Sequence, residues 1–212
     1  MLGLPRVQAL QLLVVVLTAA ALSWNPRYPQ DQALQHVPTA LTVLLLVASA
    51  RRCPLSNASF TLISAFLLLH ALAARWVYTF VPYDDWTERL FGFRLGVELG
   101  WRRNHFDRLV HFAFGLLLFA PFREVYARLA RPARGWPSWF ALELIAAASV
   151  LYELCEWGAA MVFSPATADR YLGQQGDPWD AHKDVALAVA GGLAAWLLAS
   201  AAAGLRRLRV AS

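Results

Sequence analysis

Six long apolar runs, separated by short polar segments rich in arginine, organise this chain. They cover Val7–Trp24, Ala33–Ala50, Ala58–Ala74, Leu109–Tyr126, Ser138–Phe163 and Asp180–Gly204. Each approaches the ~20 residues that an α-helix needs to cross a ~30 Å hydrocarbon core. The first, VQALQLLVVVLTAAALSW, is uncharged throughout, whereas the second and fourth have polar residues near their starts. The pattern predicts an all-α, polytopic membrane bundle of about six transmembrane helices, forming a single transmembrane domain over residues 1–212. Arg6 and the small residues after the first run suggest a signal peptide. Against that, the run exceeds the usual ~7–15 apolar residues and no clear cleavage site follows, so it reads as a span.

Composition supports lipid as the solvent. Hydrophobic residues make up 58% of the 212 and charged residues 16%, against roughly 45–50% and 25% in soluble domains. The mean hydropathy is +0.44. The formal charge is +5, and Lys183 is the only lysine among 19 basic residues. These arginines fall in short clusters between apolar runs and form no recognisable nucleic-acid module, so no nucleic-acid partner is expected.

The arginines predict an orientation instead. Arg6 precedes the first span, and Arg51 and Arg52 follow the second. Arg123, Arg128, Arg131 and Arg134 follow the fourth, and Arg206, Arg207 and Arg209 the sixth. Six spans place all of these on one side, which the positive-inside rule makes cytoplasmic, with both termini there. The outer loops are then Asn25–Gln32, Arg75–Arg108 and Ser164–Trp179. The loop 75–108 breaks this pattern and is mixed in charge: Arg89, Arg94, Arg102, Arg103 and Arg108 sit among Asp84, Asp85, Glu88 and Glu98. Its stretch DDWTERLFGFRLGVEL has apolar residues at helical spacing and predicts a short amphipathic helix along the membrane surface. Trp76, Tyr78, Tyr83, Trp86 and Trp101 fit an interfacial aromatic belt.

On this topology the ionisable residues inside the spans gather toward the outer face. They are His70 in the third span, Asp107 and His111 at the start of the fourth, Glu153 and Glu156 near the end of the fifth, and Asp177, Asp180 and Asp184 at the start of the sixth. Such residues are costly at membrane depth and face a bundle interior or cavity. Asp107 and His111 are four apart, as are Asp180 and Asp184, while Glu153 and Glu156 are three apart, so each pair shares a helix face. Three helices each presenting two ligands is how bundles build metal sites. Asp107, His111, Glu153, Glu156, Asp180 and Asp184 are the candidate ligands, with His70, Asp177 and Tyr152 as supporting residues. This set suits a divalent metal ion (magnesium, calcium, manganese, zinc or iron) without choosing among them. It singles out no catalytic residue.

Plainer roles compete. Asn104 reads as an N-cap with Asp107 at N3, and Asp177 as an N-cap with Pro178 at N1 and Asp180 at N3. His111 alone could serve as a hydrogen-bonding residue of the bundle, and His105 and His182 read as interface residues. Glu153 and Glu156 resist a plain reading, because they lie in the C-terminal half of a helix, where the dipole disfavours anions. Arg108 or Lys183 could pair with them in a purely structural ion network. Gly115, Gly158, Gly191 and Gly192 read as close-packing positions. Glu143 reads as the partner of a loop arginine. Cys53 and Cys155 lie in a loop and a helix and are not expected to pair. GxSxG, phosphate-loop and HExxH patterns are missing.

The stretches RNHFDRLVHFAFG, YELCEW, YLGQQGDPWDAHKD and HALAARWVYTFVPYDDW resemble the YjdF-like bacterial inner-membrane proteins, from about His70 to Gly192. A looser likeness is to VanZ-like proteins, in which an aspartate–histidine helix start and a later aspartate-bearing helix recur. The resemblance implies a multi-pass protein of the bacterial inner (cytoplasmic) membrane and carries over Asp107, His111, Glu153, Glu156, Asp177, Asp180 and Asp184. It assigns no biochemical activity. Cys155 falls at a variable position of its motif, against a catalytic thiol.

Three functions stay open, and with them whether the chain is an enzyme. One is a metal-dependent site open outward, acting on a lipid, a lipid-linked substrate or another small molecule. The second is a structural or partner-binding membrane protein whose polar cluster fixes helix packing. The third is a small proton- or cation-coupled transporter, which a chain this short without an inverted repeat would support best as a homo-oligomer.

Overall fold

The computed structural model describes residues 3–130 and 135–211, and every regular element among them is helical. The helices are α1 Arg6–Leu22, α2 Pro29–Ser49, α3 Asn57–Arg75, α4 Tyr83–Phe91, α5 Leu95–Glu98, α6 Phe106–Ala130, α7 Trp136–Ala160, α8 Pro165–Leu172 and α9 Asp180–Ala211. Arg131 and Arg134, which help to set the expected orientation, lie outside the described residues.

Among the described residues, α2, α3, α6, α7 and α9 are long and apolar enough to span a bilayer. The sixth expected span, α1, is apolar but only 17 residues long. At ~1.5 Å rise per residue it covers ~26 Å, slightly short of a ~30 Å core. α1 packs on α3, and Gln8 is buried there, donating through Nε2 to the Leu55 carbonyl and to Asn57 Oδ1 at 2.9 and 3.0 Å.

Local signals explain several helix ends. Ser56 caps α3, accepting from the Ser59 N–H, and Ser164 caps α8 through the Thr167 N–H. Gly92 and Gly173 close α4 and α8 in the left-handed region, which lacks a Cβ penalty for glycine. α4 and α5 occupy the segment expected as an amphipathic surface helix, with Gly92 as the break. The stretch after α7 also contains helix α8. These short helices lie at the end of the bundle where α3 and α7 finish and α6 and α9 begin.

The centre is the α6–α9 pair, with α7 and α3 packed against α6. A Cβ on Gly115 would collide with the Ala188 carbonyl, and one on Gly191 with the Phe112 carbonyl. Only glycine lets the two backbones approach so closely. Gly192 has a similar role toward α7, since a Cβ there would stand 2.9 Å from the Ile145 and Leu142 side chains. Gly158 does not, since nothing lies within 4 Å of it, and the expectation of close packing there is corrected. By contrast, α2 packs mainly on α3, touches α8 and reaches α7 through the Tyr152–Gln35 hydrogen bond.

Candidate metal centre

The α6–α9 contact decides the site. It brings the first two turns of both helices together, so Asp107 and His111 of α6 face Asp184 of α9. One ligand atom from each lies within 4.8 Å of the others. His111 and Asp184 are buried, and Asp107 is mostly so. His111 Nε2 is 3.6 Å from Asp107 Oδ1 and 3.4 Å from Glu153 Oε1 on α7. These distances suit ligands gathered round one cation but lack hydrogen-bond geometry, and Glu153 Oε1 has no hydrogen-bond partner. Nor has Asp184 Oδ1, although Asp184 is only 2% exposed. A buried carboxylate oxygen with no donor is costly and calls for a cation or proton. Oxygen ligands with one imidazole are the donor set that divalent ions take.

The other candidate ligands are placed differently. Glu156 is buried one turn beyond Glu153, beside Tyr152 and within electrostatic reach of Asp107 and Tyr78, but outside the trio. Asp180 belongs to arginines: Arg103 Nη1 and Nη2 reach its two oxygens at 2.5 and 3.0 Å, and Arg108 Nη2 reaches Oδ1 at 3.3 Å. Asp177 accepts from Arg108 at 2.7 Å and from Lys183 at 2.6 Å. It also accepts the Trp179 N–H at 3.1 Å, the capping role expected of it. The Lys183 ammonium, then the Trp179 N–H and Arg108, hold its carboxyl at about 2, so it stays ionised. Asn104 likewise accepts the Phe106 N–H ahead of α6.

The expected pairing of Arg108 or Lys183 with Glu153 and Glu156 is therefore corrected. Both cations turn to Asp177, and Arg108 also to Asp180, at the helix end. That leaves the glutamates to the centre of the bundle.

His70 and Tyr152 stand beside the trio. His70 Nε2 is 2.7 Å from the Gln35 carbonyl, and its Nδ1 meets the Tyr78 hydroxyl. Burial, and then the nearby Asp107 and Glu156, push the Tyr78 hydroxyl well above its usual pKa. Tyr78 thus keeps its proton and donates to Nδ1, leaving Nε2–H to donate to Gln35. Tyr152 donates to Gln35 Oε1 at 2.7 Å. The expected place of Tyr78 in the interfacial belt is corrected. It is buried, because Val77 and Tyr78 adopt left-handed φ of 49° and 56° and fold the chain inward. Strained backbone of this kind persists where surrounding structure over-determines it. Trp76 pairs with Trp86 and Tyr83 with Trp101 through edge-on ring contacts, and His105 stacks on Trp101 at 4.4 Å. A Tyr78→Phe substitution should cost about 1–2 kcal/mol by leaving buried His70 Nδ1 without a donor. Thermal melting in detergent reads this, with Trp24→Phe as an exposed control.

Gln35 and Asp31 join this end of the bundle without having stood out in the sequence. Asp31 is buried and accepts from Arg170 Nε of α8 at 2.9 Å, tying α2 to the capping helix. The signal is there: Asp31, Gln32 and Gln35 lie on one helical face, once the helix is started at Pro29 rather than Ala33. Among the described cysteines, Cys53 and Cys155 are both free.

The inner membrane protein YjdF of Escherichia coli (strain K12) is 34% identical over 161 residues, covering 76% of this chain and 73% of that protein. No solved structure matches the chain. The model of the predicted membrane protein family DUF2238 matches residues 7–204, and the chain belongs to that family.

Proposed function

We propose that the chain binds one divalent cation through Asp107, His111 and Asp184, with Glu153 completing the set, and uses it on a lipid or lipid-linked substrate of the bacterial inner membrane. The positive-inside reading puts this site at the non-cytoplasmic face. The observation that carries the proposal is the unpartnered, buried Asp184 Oδ1 aimed into a ring of ligand atoms drawn from two tightly packed helices. Three ligands around one ion at ~2.1 Å stand at most ~3.6 Å from one another, so a trio within 4.8 Å closes on an ion once each atom moves inward by up to about 0.7 Å.

A bound divalent ion would polarise a phosphoryl or carbonyl oxygen and lower the pKa of a water. The protein's own share is to hold the ligands and to exclude bulk water with α8 and its following loop. Asp177 and Asp180 are not ligands in this reading; with Arg103, Arg108 and Lys183 they brace the helix ends. The apolar lining beneath the trio, including Leu46, Phe66, Phe114 and Leu118, offers no polar path across the bundle, against a cation carrier.

Metal analysis of the detergent-purified chain tests the proposal. One ion per chain is expected after equilibration with magnesium, manganese or zinc. Asp184→Asn removes a charged ligand and should weaken binding by about 100-fold or more, beyond the 10–100-fold typical of residues that only support a ligand. A folded wild-type protein that takes up none of the three ions would leave the packing role as the reading.

A further inference from the structure

Beneath the trio lies a cavity of about 570 Å³ enclosed by α2, α3, α6 and α7. His70, Tyr78, His111 and Tyr152 form its polar end, and from there to Leu129 of α6 its walls are almost wholly apolar. His111 and Leu129 are 18 residues apart on one helix, a rise of about 27 Å. The cavity thus runs through most of a ~30 Å hydrocarbon core. Its wall is thinnest on one side: α2 and α7 are joined at the polar end, where Tyr152 meets Gln35, and are otherwise at most sparsely in contact among the described residues.

A space this large does not stay empty. Its lining would forfeit the dispersion contacts of a packed interior, a loss comparable to the whole stability of a domain. Water does not fill it either, because apolar walls give a water too few polar partners. The solvent at this depth is hydrocarbon. We infer that the cavity holds one hydrocarbon chain of a membrane lipid, entering between α2 and α7, with the lipid's head group at the His111–Tyr152 end beside Asp107 and Asp184. The volume falls in the range of sites that enclose a single small molecule, roughly 300–1,000 Å³, which favours one chain over two. The chain pocket stands on the cavity alone. Only the placing of the head group rests on the cation-site reading, and the substrate class it names is a lipid whose chain is held inside the protein while its head is processed.

Photolabelling tests this. The full chain is reconstituted in phosphatidylcholine vesicles doped with phosphatidylcholine carrying a diazirine on its acyl chain, irradiated, and its peptides mapped by mass spectrometry. Adducts are expected on the cavity residues Phe66, Phe114 and Phe122, besides those on lipid-facing Leu197 and Leu198. Ala148→Phe on the α7 wall should cut the cavity adducts about tenfold by occupying the space, without changing those on Leu197 and Leu198. Thr42→Phe fills the same space from α2 and serves if the first variant does not fold. Labelling confined to the outer surface, or cavity labelling that both folded variants leave unchanged, overturns the inference. Asp184→Asn separates the two readings: cavity labelling that persists in this variant supports the chain pocket even if metal analysis has failed, whereas cavity labelling abolished by it shows that the pocket does not stand alone and overturns the inference.

Discussion

Replacing Asp180 with alanine is expected to destabilise the protein by about 3–5 kcal/mol, the range for breaking a buried ion pair from one side. The Asp180 and Arg103 side chains are 3% and 9% exposed. Without the carboxylate, Arg103 keeps the carbonyls of Gly173 and Gln174 and a distant Asp177 at 3.8 Å. Among the described residues, Asp177 would then be the anion within ion-pair range of Arg103, Arg108 and Lys183, with Asp107 and Asp184 acting on Arg103 from farther away. These residual contacts place the loss toward the lower end of the range. Detergent-based chemical unfolding of wild type and variant measures it. The double change Arg103→Met with Asp180→Leu should recover much of the loss, because a buried pair replaced by apolar side chains of similar volume is often close to neutral. A single variant as stable as wild type would show that the network is solvated and of little structural weight.

Gly191→Leu should be at least as damaging. Helix propensity alone favours the change, by up to about 1 kcal/mol. An added Cβ, however, meets the Phe112 carbonyl oxygen and stands 2.8 Å from the Leu116 nitrogen, both backbone atoms of α6 that cannot swing aside. Overpacking a core costs about 1–3 kcal/mol where side chains can yield; here they cannot, so about 3 kcal/mol or more is expected. The separation of α6 from α9 should also part Asp184 from Asp107 and His111 and lower metal uptake. Gly158→Leu has open space around it and should instead gain up to about 1 kcal/mol from helix propensity. Comparing the two by thermal melting and metal analysis isolates the helix contact from the general effect of losing a glycine. Equal behaviour of the two variants would contradict the close-contact account.

The apolar period and the arginine spacing suffice to read helices across α2, α3, α6, α7 and α9, because a span must satisfy its backbone internally and display an apolar surface to lipid. They also put Asp107, His111, Glu153 and Asp184 toward one end of the bundle, since position along a helix is a matter of counting at about 1.5 Å per residue. The start of α2 escapes such reading because a helix opening Pro-Gln-Asp-Gln lacks the apolar signal, and its buried polar face serves partners that lie far away in sequence.

Which of these polar residues meet is settled only in three dimensions. Asp180 and Asp184 share a helix face, yet one goes to Arg103 and the other to His111. The difference depends on where the loop before α6 lays Arg103 and on how near Gly115 and Gly191 bring α9 to α6. Likewise nothing along the chain announces a cavity, because it arises from α2 leaning on α3 and leaving α7. Local sequence sets helix, depth and face, whereas contact between distant helices is a property of the packed whole.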